Sequence, residues 1–197
     1  MPMGQTMEGK TTVGSIQIHN NTRSEMRYQV LVDALTVDAE GKRVQVPSSD
    51  ITFYPKSVAT LKPGQTQILR WRRSNVVADQ EKVYAVIVSE NPLEEPAPKE
   101  EGGVVVQTIM GNRMIAPWAF VPPGAKPFLK AYRETNYLVF HNTGNATAPV
   151  VELTYAGEKV PGVFMVLPGE RLKVKVEGAS REVHFTSRGV QSTLTVE

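Results

Sequence analysis

Three histidines, His19, His141 and His184, are the obvious candidates for chemistry in this chain, and their spacing speaks against it. No two of them are separated as metal ligands on one strand or loop usually are. The chain has no cysteine, which excludes disulfides, thiolate catalysis and cysteine-ligated metal while leaving the compartment open. No G-x-S-x-G turn and no phosphate-binding glycine loop is present. Gly102-Gly103 opens a β-prone run, so no helix N-terminus follows to receive a phosphate. The expectation is a protein that is not an enzyme and needs no metal or other cofactor. Asn20-Asn21-Thr22 and Asn145-Ala146-Thr147 fit the glycosylation acceptor pattern, but that pattern is short and recurs by chance.

The charged residues narrow the partners. Lys and Arg number 22 against 20 Asp and Glu, a net charge of +2, so no nucleic-acid footprint exists beyond the short Arg70-Trp71-Arg72-Arg73. Alternation puts Arg70 and Arg72 on one face, either as a solvated surface or as the wall of a charged cleft. Trp71 and Trp118 lie among apolar residues and are expected in a core. The most unusual stretch is residues 100–123. Val104, Val105, Val106, Gln107, Thr108, Ile109 and Met110 are β-prone and apolar on both faces, which calls for burial on both sides. The Pro- and Glu-rich run before them, residues 91–101, reads as a solvated loop.

The elements that must position these residues are strands. Hydrophobic residues make up 41% of 197, enough for a packed core. Helical periodicity is nearly absent. Short β-branched runs punctuated by turns, at 11–20, 26–37, 51–55, 65–73 and 82–90, follow the pattern of a β-sandwich. No apolar run is long enough to cross a bilayer as a helix. The N-terminal stretch lacks the apolar core of an export signal and reads as the start of a mature chain with a Met added. Two pairs of segments repeat in order. The run ending in His19-Asn20 matches the one ending in His141-Asn142, and the Pro63-Gly64 turn matches Pro168-Gly169. The repeats predict two copies of one fold, near 1–122 and 127–197, joined by the Pro-rich 121–127.

Several segments resemble the periplasmic pilus-assembly chaperones of chaperone–usher systems. Residues 51–73 carry the family's apolar strand, Pro, and Leu-x-Pro-Gly-Gln-x-Gln-x-apolar-Arg, matched by Leu61, Pro63, Gly64, Gln65, Gln67, Leu69 and Arg70. Residues 82–92 are similar to its strand ending in Glu, one residue and Pro; residues 116–127 are similar to the last first-domain strand and its exit. Residues 138–150 fit the start of the second domain. Pro117 inside the strand and the short second domain resemble the archaic branch.

The resemblance implies an all-β protein of two immunoglobulin-like β-sandwich domains set at an angle, boomerang-like, in the periplasm. It implies pilin or fimbrial subunits and an outer-membrane usher as partners. The last strand of the first domain, residues 103–121, would be lent to a subunit that lacks its final strand. Val104, Val106, Thr108 and Met110 match the donor positions, leaving Val105 on the opposite face toward the chain's own core. A basic residue of the cleft anchors the subunit's terminal carboxylate in this family, and Arg113 is the nearest match on the donor strand. For the family's basic residue on the first strand, where this chain offers Gly4 or Gln5, either the anchor is absent or Lys10 or Arg70 substitutes. An edge left uncovered also invites self-association. The rival readings are a two-domain structural or adhesive module, in which 104–110 is an internal strand, and a carbohydrate-binding accessory domain supported by the two tryptophans.

Overall fold

β-Branched and aromatic residues alternating with polar ones form strands, because each side chain turns to the opposite face from its neighbour. A computed structural model describes residues 4–55, 58–93 and 111–197, and among them there is no helix. The first unit holds β1 (Gln5–Glu8), β2 (Val13–His19), β3 (Met26–Val37), β4 (Arg43–Pro47), β5 (Ile51–Tyr54), β6 (Val58–Leu61), β7 (Thr66–Arg73), β8 (Lys82–Pro92) and β9 (Asn112–Val121). One sheet runs β1-β9-β8-β3-β4, with β6 also paired to β3, and the facing sheet is β2-β7-β5. The strands expected at 11–20, 26–37, 51–55, 65–73 and 82–90 are present, while 104–110 lies outside the described residues. Strands β1, β4 and β6 carry no sequence signal strong enough to mark them, being short; β4 is exposed along its length and shows no burial alternation.

Between these sheets lies an aromatic core. Met26, Tyr28, Val30 and Val32 of β3 point inward while Arg27, Gln29 and Leu31 point out. Trp71 stands 5.4 Å from Trp118, centroid to centroid, and 5.8 Å from Phe120. Both tryptophans are core residues, as their flanks predict. Burying each such ring contributes on the order of 1.5–3 kcal/mol. The Arg70–Arg73 run resolves unequally. Arg70 and Arg72 are exposed, whereas Arg73 is 2% exposed. Its Nη2 donates to the carbonyls of Gly9 and Thr11, and its guanidinium lies 4.1 Å over Phe120. The expected alternation held; the third arginine simply falls on its inward phase.

The second unit holds β10 (Leu129–Glu134), β11 (Tyr137–Asn142), β12 (Ala148–Tyr155), β13 (Glu158–Lys159), β14 (Phe164–Val166), β15 (Arg171–Lys175), β16 (Glu182–Ser187) and β17 (Val190–Thr195). Sheet β10-β11-β15 faces sheet β13-β12-β16-β17, with β14 also on β12. They enclose a separate core around Leu138, Phe140, Leu153, Val183 and Phe185.

The repeated segments occupy equivalent places, and the asparagines explain them. Asn20 and Asn142 are both fully buried. The Asn20 amide donates to the carbonyls of Ser24 and Leu61, and that of Asn142 to Ala146 and Val166. Their side-chain oxygens accept from the Thr22 N–H and from the N–H groups of Phe128 and Gly144. Backbone bonds repeat too: Gly64 donates to Asn20 and Gly169 to Asn142, each glycine in the left-handed region at φ 73° and 83°. A histidine precedes each of these asparagines at its strand end. His19 bonds the Thr66 hydroxyl across the ladder, and the capping falls to the asparagine beside it.

Polar contacts join the two units. The Glu81 N–H donates to the Asn145 carbonyl, and its carboxylate, in a residue 7% exposed, accepts the Thr147 N–H at 2.6 Å. The Asn145 amide donates to the Asp79 carbonyl. On the other side Arg43 donates to the buried Glu170 carboxylate at 2.8 Å, and the Arg171 N–H to the Gly41 carbonyl.

Candidate functional site: the free edge of β9

Strand β9 is paired in full on one side only. It runs antiparallel to β8 from Asn112 opposite Glu90 to Phe120 opposite Lys82. On the other side β1 pairs it in parallel over Trp118 to Val121 alone. From Asn112 to Pro117 the outer edge has no strand partner among the described residues. Pro117 lacks an N–H and suits such an edge. A row of unpaired backbone donors and acceptors on a strand is a template for another chain.

The faces of β9 differ along its length. Ala116, Trp118 and Phe120 are buried between the sheets. Met114 shares their face yet is 47% exposed, so the sandwich runs out of cover at this point. Ile115, on the opposite face, is 56% exposed. The inward phase of β9 is therefore the even one. The sequence analysis gave that phase to a partner and the odd phase to the chain's own core. Over the described strand this one face passes from core at Trp118 to an exposed side chain at Met114; residues 104–110, to which the expectation applied, lie outside the described residues.

A family model for pili and flagellar-assembly chaperones, PapD N-terminal domain, matches residues 6–116. The chain belongs to that family. Solved structures extend the fold over the whole length. A chaperone–tip adhesion subunit complex, CsuC–CsuE of the archaic chaperone–usher Csu pili of Acinetobacter baumannii, contains a chain 19% identical with a TM-score of 0.76. That match covers 100% of this chain and 96% of that one. The Salmonella enterica SafA pilin–SafB chaperone complex matches at 17% identity and 0.68, covering 98% and 91%. The E. coli chaperone DraB matches at 16% and 0.66, covering 99% and 94%. Among curated proteins no sequence matches. The architecture is that of two immunoglobulin-like β-sandwich domains.

In this chaperone the proposed site residues are dispersed. Val104, Val106, Thr108 and Met110 lie outside the described residues. Arg113 is exposed on β9, opposite Ser89. Lys10 follows β1, beside Val121 at the other end of β9, and forms an exposed ion pair with Glu8. Eight residues of strand place that end about 26 Å from Arg113. Arg70 points outward from the opposite sheet, opposite Ser15 and Tyr54. The three cations do not converge on one point.

Between the sandwiches lies a cavity of about 470 Å³, lined by Leu35, Val37, Asp50, Glu81, Lys82, Tyr84 and the Leu167–Gly169 turn. Tyr84 donates to Asp50 at 2.7 Å, and burial first, then this carboxylate, holds its hydroxyl above the ordinary tyrosine range. Lys82 comes within 3.9 Å of the same carboxylate. Sequence reading missed this lysine; its position at the start of a strand that ends in the family's Glu-x-Pro was the available signal. Among the described residues no group of His, Asp and Glu is arranged to hold a metal ion.

Proposed function

We propose that this chain is a periplasmic chaperone that holds a pilus or fimbrial subunit by lending it a β-strand and passes it to an outer-membrane usher. The observation that supports this reading is the edge of β9, unpaired from Asn112 to Pro117 among the described residues and exposed on its inner face at Met114. An incoming subunit strand satisfies the edge with backbone hydrogen bonds, and alternate side chains fill its open groove. Period two carries the parity of Met114 back through Met110, Thr108, Val106 and Val104, the donor positions of the proposal. The donor strand then spans 103–121 within a first domain of 1–122, and the second domain is 127–197. Arg113, on the proposed donor strand, anchors a carboxylate of the subunit, and Lys10 and Arg70, set apart from it, are the lesser candidates for that role. No cofactor, metal or nucleic acid enters this reading, and no catalytic step does. In the absence of a subunit the same edge is open to a second copy of the chain.

Co-expression with a pilin that lacks its final strand tests the proposal. A stable one-to-one complex is expected, and Val106→Glu should abolish it while circular dichroism still reports a folded β protein. Absence of a complex with wild-type chain, across pilins encoded beside it, would return the reading to a structural module.

A further inference from the structure

At the start of β9 the sheet carries one row of side chains out of keeping with its apolar inner face. Tyr28 of β3, Glu90 of β8 and Asn112 of β9 stand opposite one another. Glu90 is 8% exposed, and both its oxygens are engaged. Tyr28 donates to Oε1 at 2.6 Å, and the Asn112 amide to Oε2 at 3.1 Å. The row behind it, Val30, Val88 and Met114, is apolar. Gly111 enters so close that a Cβ would stand 2.4 Å from the Asn91 side-chain oxygen.

We infer that Glu90 is a positioning residue that sets the register of β9, and that the inference rests on β9 being the lent strand. Trp118 and Phe120 fix the far end of β9 by packing, but at its uncovered start apolar contact alone leaves a local slip of two residues open, because every side chain there stays on its face. Such a slip would bring Met114 or Met110 opposite Glu90 and leave a buried carboxylate oxygen without a donor. A polar pair amid an apolar row therefore discriminates where hydrophobic packing does not. Strand lending needs that discrimination, since a displaced register presents the wrong side chains to the pockets of a subunit.

The chain has no cysteine, so engineered pairs can read the register directly. Ser89→Cys with Arg113→Cys reports the native pairing, and Ser89→Cys with Ile115→Cys a slip of two. In the otherwise unchanged protein only the first pair should crosslink. Adding Asn112→Leu should raise the slipped crosslink by about tenfold, the ratio expected for one partly buried hydrogen bond to a carboxylate. The exchange Glu90→Gln with Asn112→Asp, which reverses donor and acceptor, should restore the native ratio; a merely packing role would show no such rescue. An unchanged ratio in Asn112→Leu at equal thermal stability overturns the inference. The crosslink arm needs no subunit, so it stands apart from the chaperone reading. With a captured pilin, a loosened register that leaves the amount of complex unchanged overturns the link to strand lending.

Discussion

Asn142 stands at the smallest scale on which this protein is held together. Its side chain closes four hydrogen bonds inside the second sandwich, and no water can replace them at a site with no exposure. Asn142→Ala strands two carbonyls and two N–H groups, and should cost about 2–4 kcal/mol, read from urea denaturation. Beside it, His141 is held below its ordinary pKa, first by burial and then by Arg171 and Lys130. The sign follows from linkage. As pH falls through about 6.5 the unfolded chain binds the proton before the folded one does, so stability drops; above that value the group contributes no pH dependence. Denaturant midpoints measured on either side of pH 6.5 should diverge less in His141→Gln than in the unchanged protein. An equal divergence would place the titration elsewhere. Gly14 is a third such point. A Cβ there would stand 2.5 Å from the Trp71 ring, and Gly14→Ala should cost about 1–3 kcal/mol by overpacking.

At the scale of the element, one face of β9 changes surroundings along its length. Where β2-β7-β5 covers it, Trp118 and Phe120 join the core; beyond Ala116 that cover ends. Glutamate at Met110 should therefore act as it does at Val106, stopping subunit capture with little change in thermal stability. Val105→Glu falls on the phase of Ile115, which is exposed, and should reduce capture less. A pulldown ranking Val105→Glu below both even-phase variants would show that the strand changes phase between Val105 and Asn112. On the proposed reading Arg113→Ala should weaken capture, and it should do so without unfolding because its side chain is exposed on β9.

For the whole molecule the question is what holds two cores in one orientation. The contacts are polar: Glu81 to Thr147 on one side, Arg43 to Glu170 on the other. Arg43 is 36% exposed, so solvent screens its pair and the loss of it should be about 1 kcal/mol or less. Glu81 is buried and its acceptor role is not replaceable by water. Arg43→Ala with Glu81→Ala should leave both cores folded while small-angle scattering shows a broader range of sizes. A scattering curve identical to that of the unchanged protein would mean that the linker alone fixes the angle.

Strands declare themselves in this sequence because alternation is a local property. β3, β7 and β8 follow from their own residues, and the His-Asn and Pro-Gly repeats follow from turns that demand those types. The family was legible for the same reason, since the Leu61 to Arg70 motif is a turn and the strand behind it. What local pattern could not carry is where one sheet ends relative to the other. That boundary makes Met114 exposed and Trp118 buried on the same face, and separates Arg113, Lys10 and Arg70. It also brings Glu90 between Tyr28 and Asn112, residues 62 positions and 22 positions away along the chain. Each of these depends on which strands are neighbours, and neighbourhood across a sheet is set by long-range pairing that a single strand does not encode.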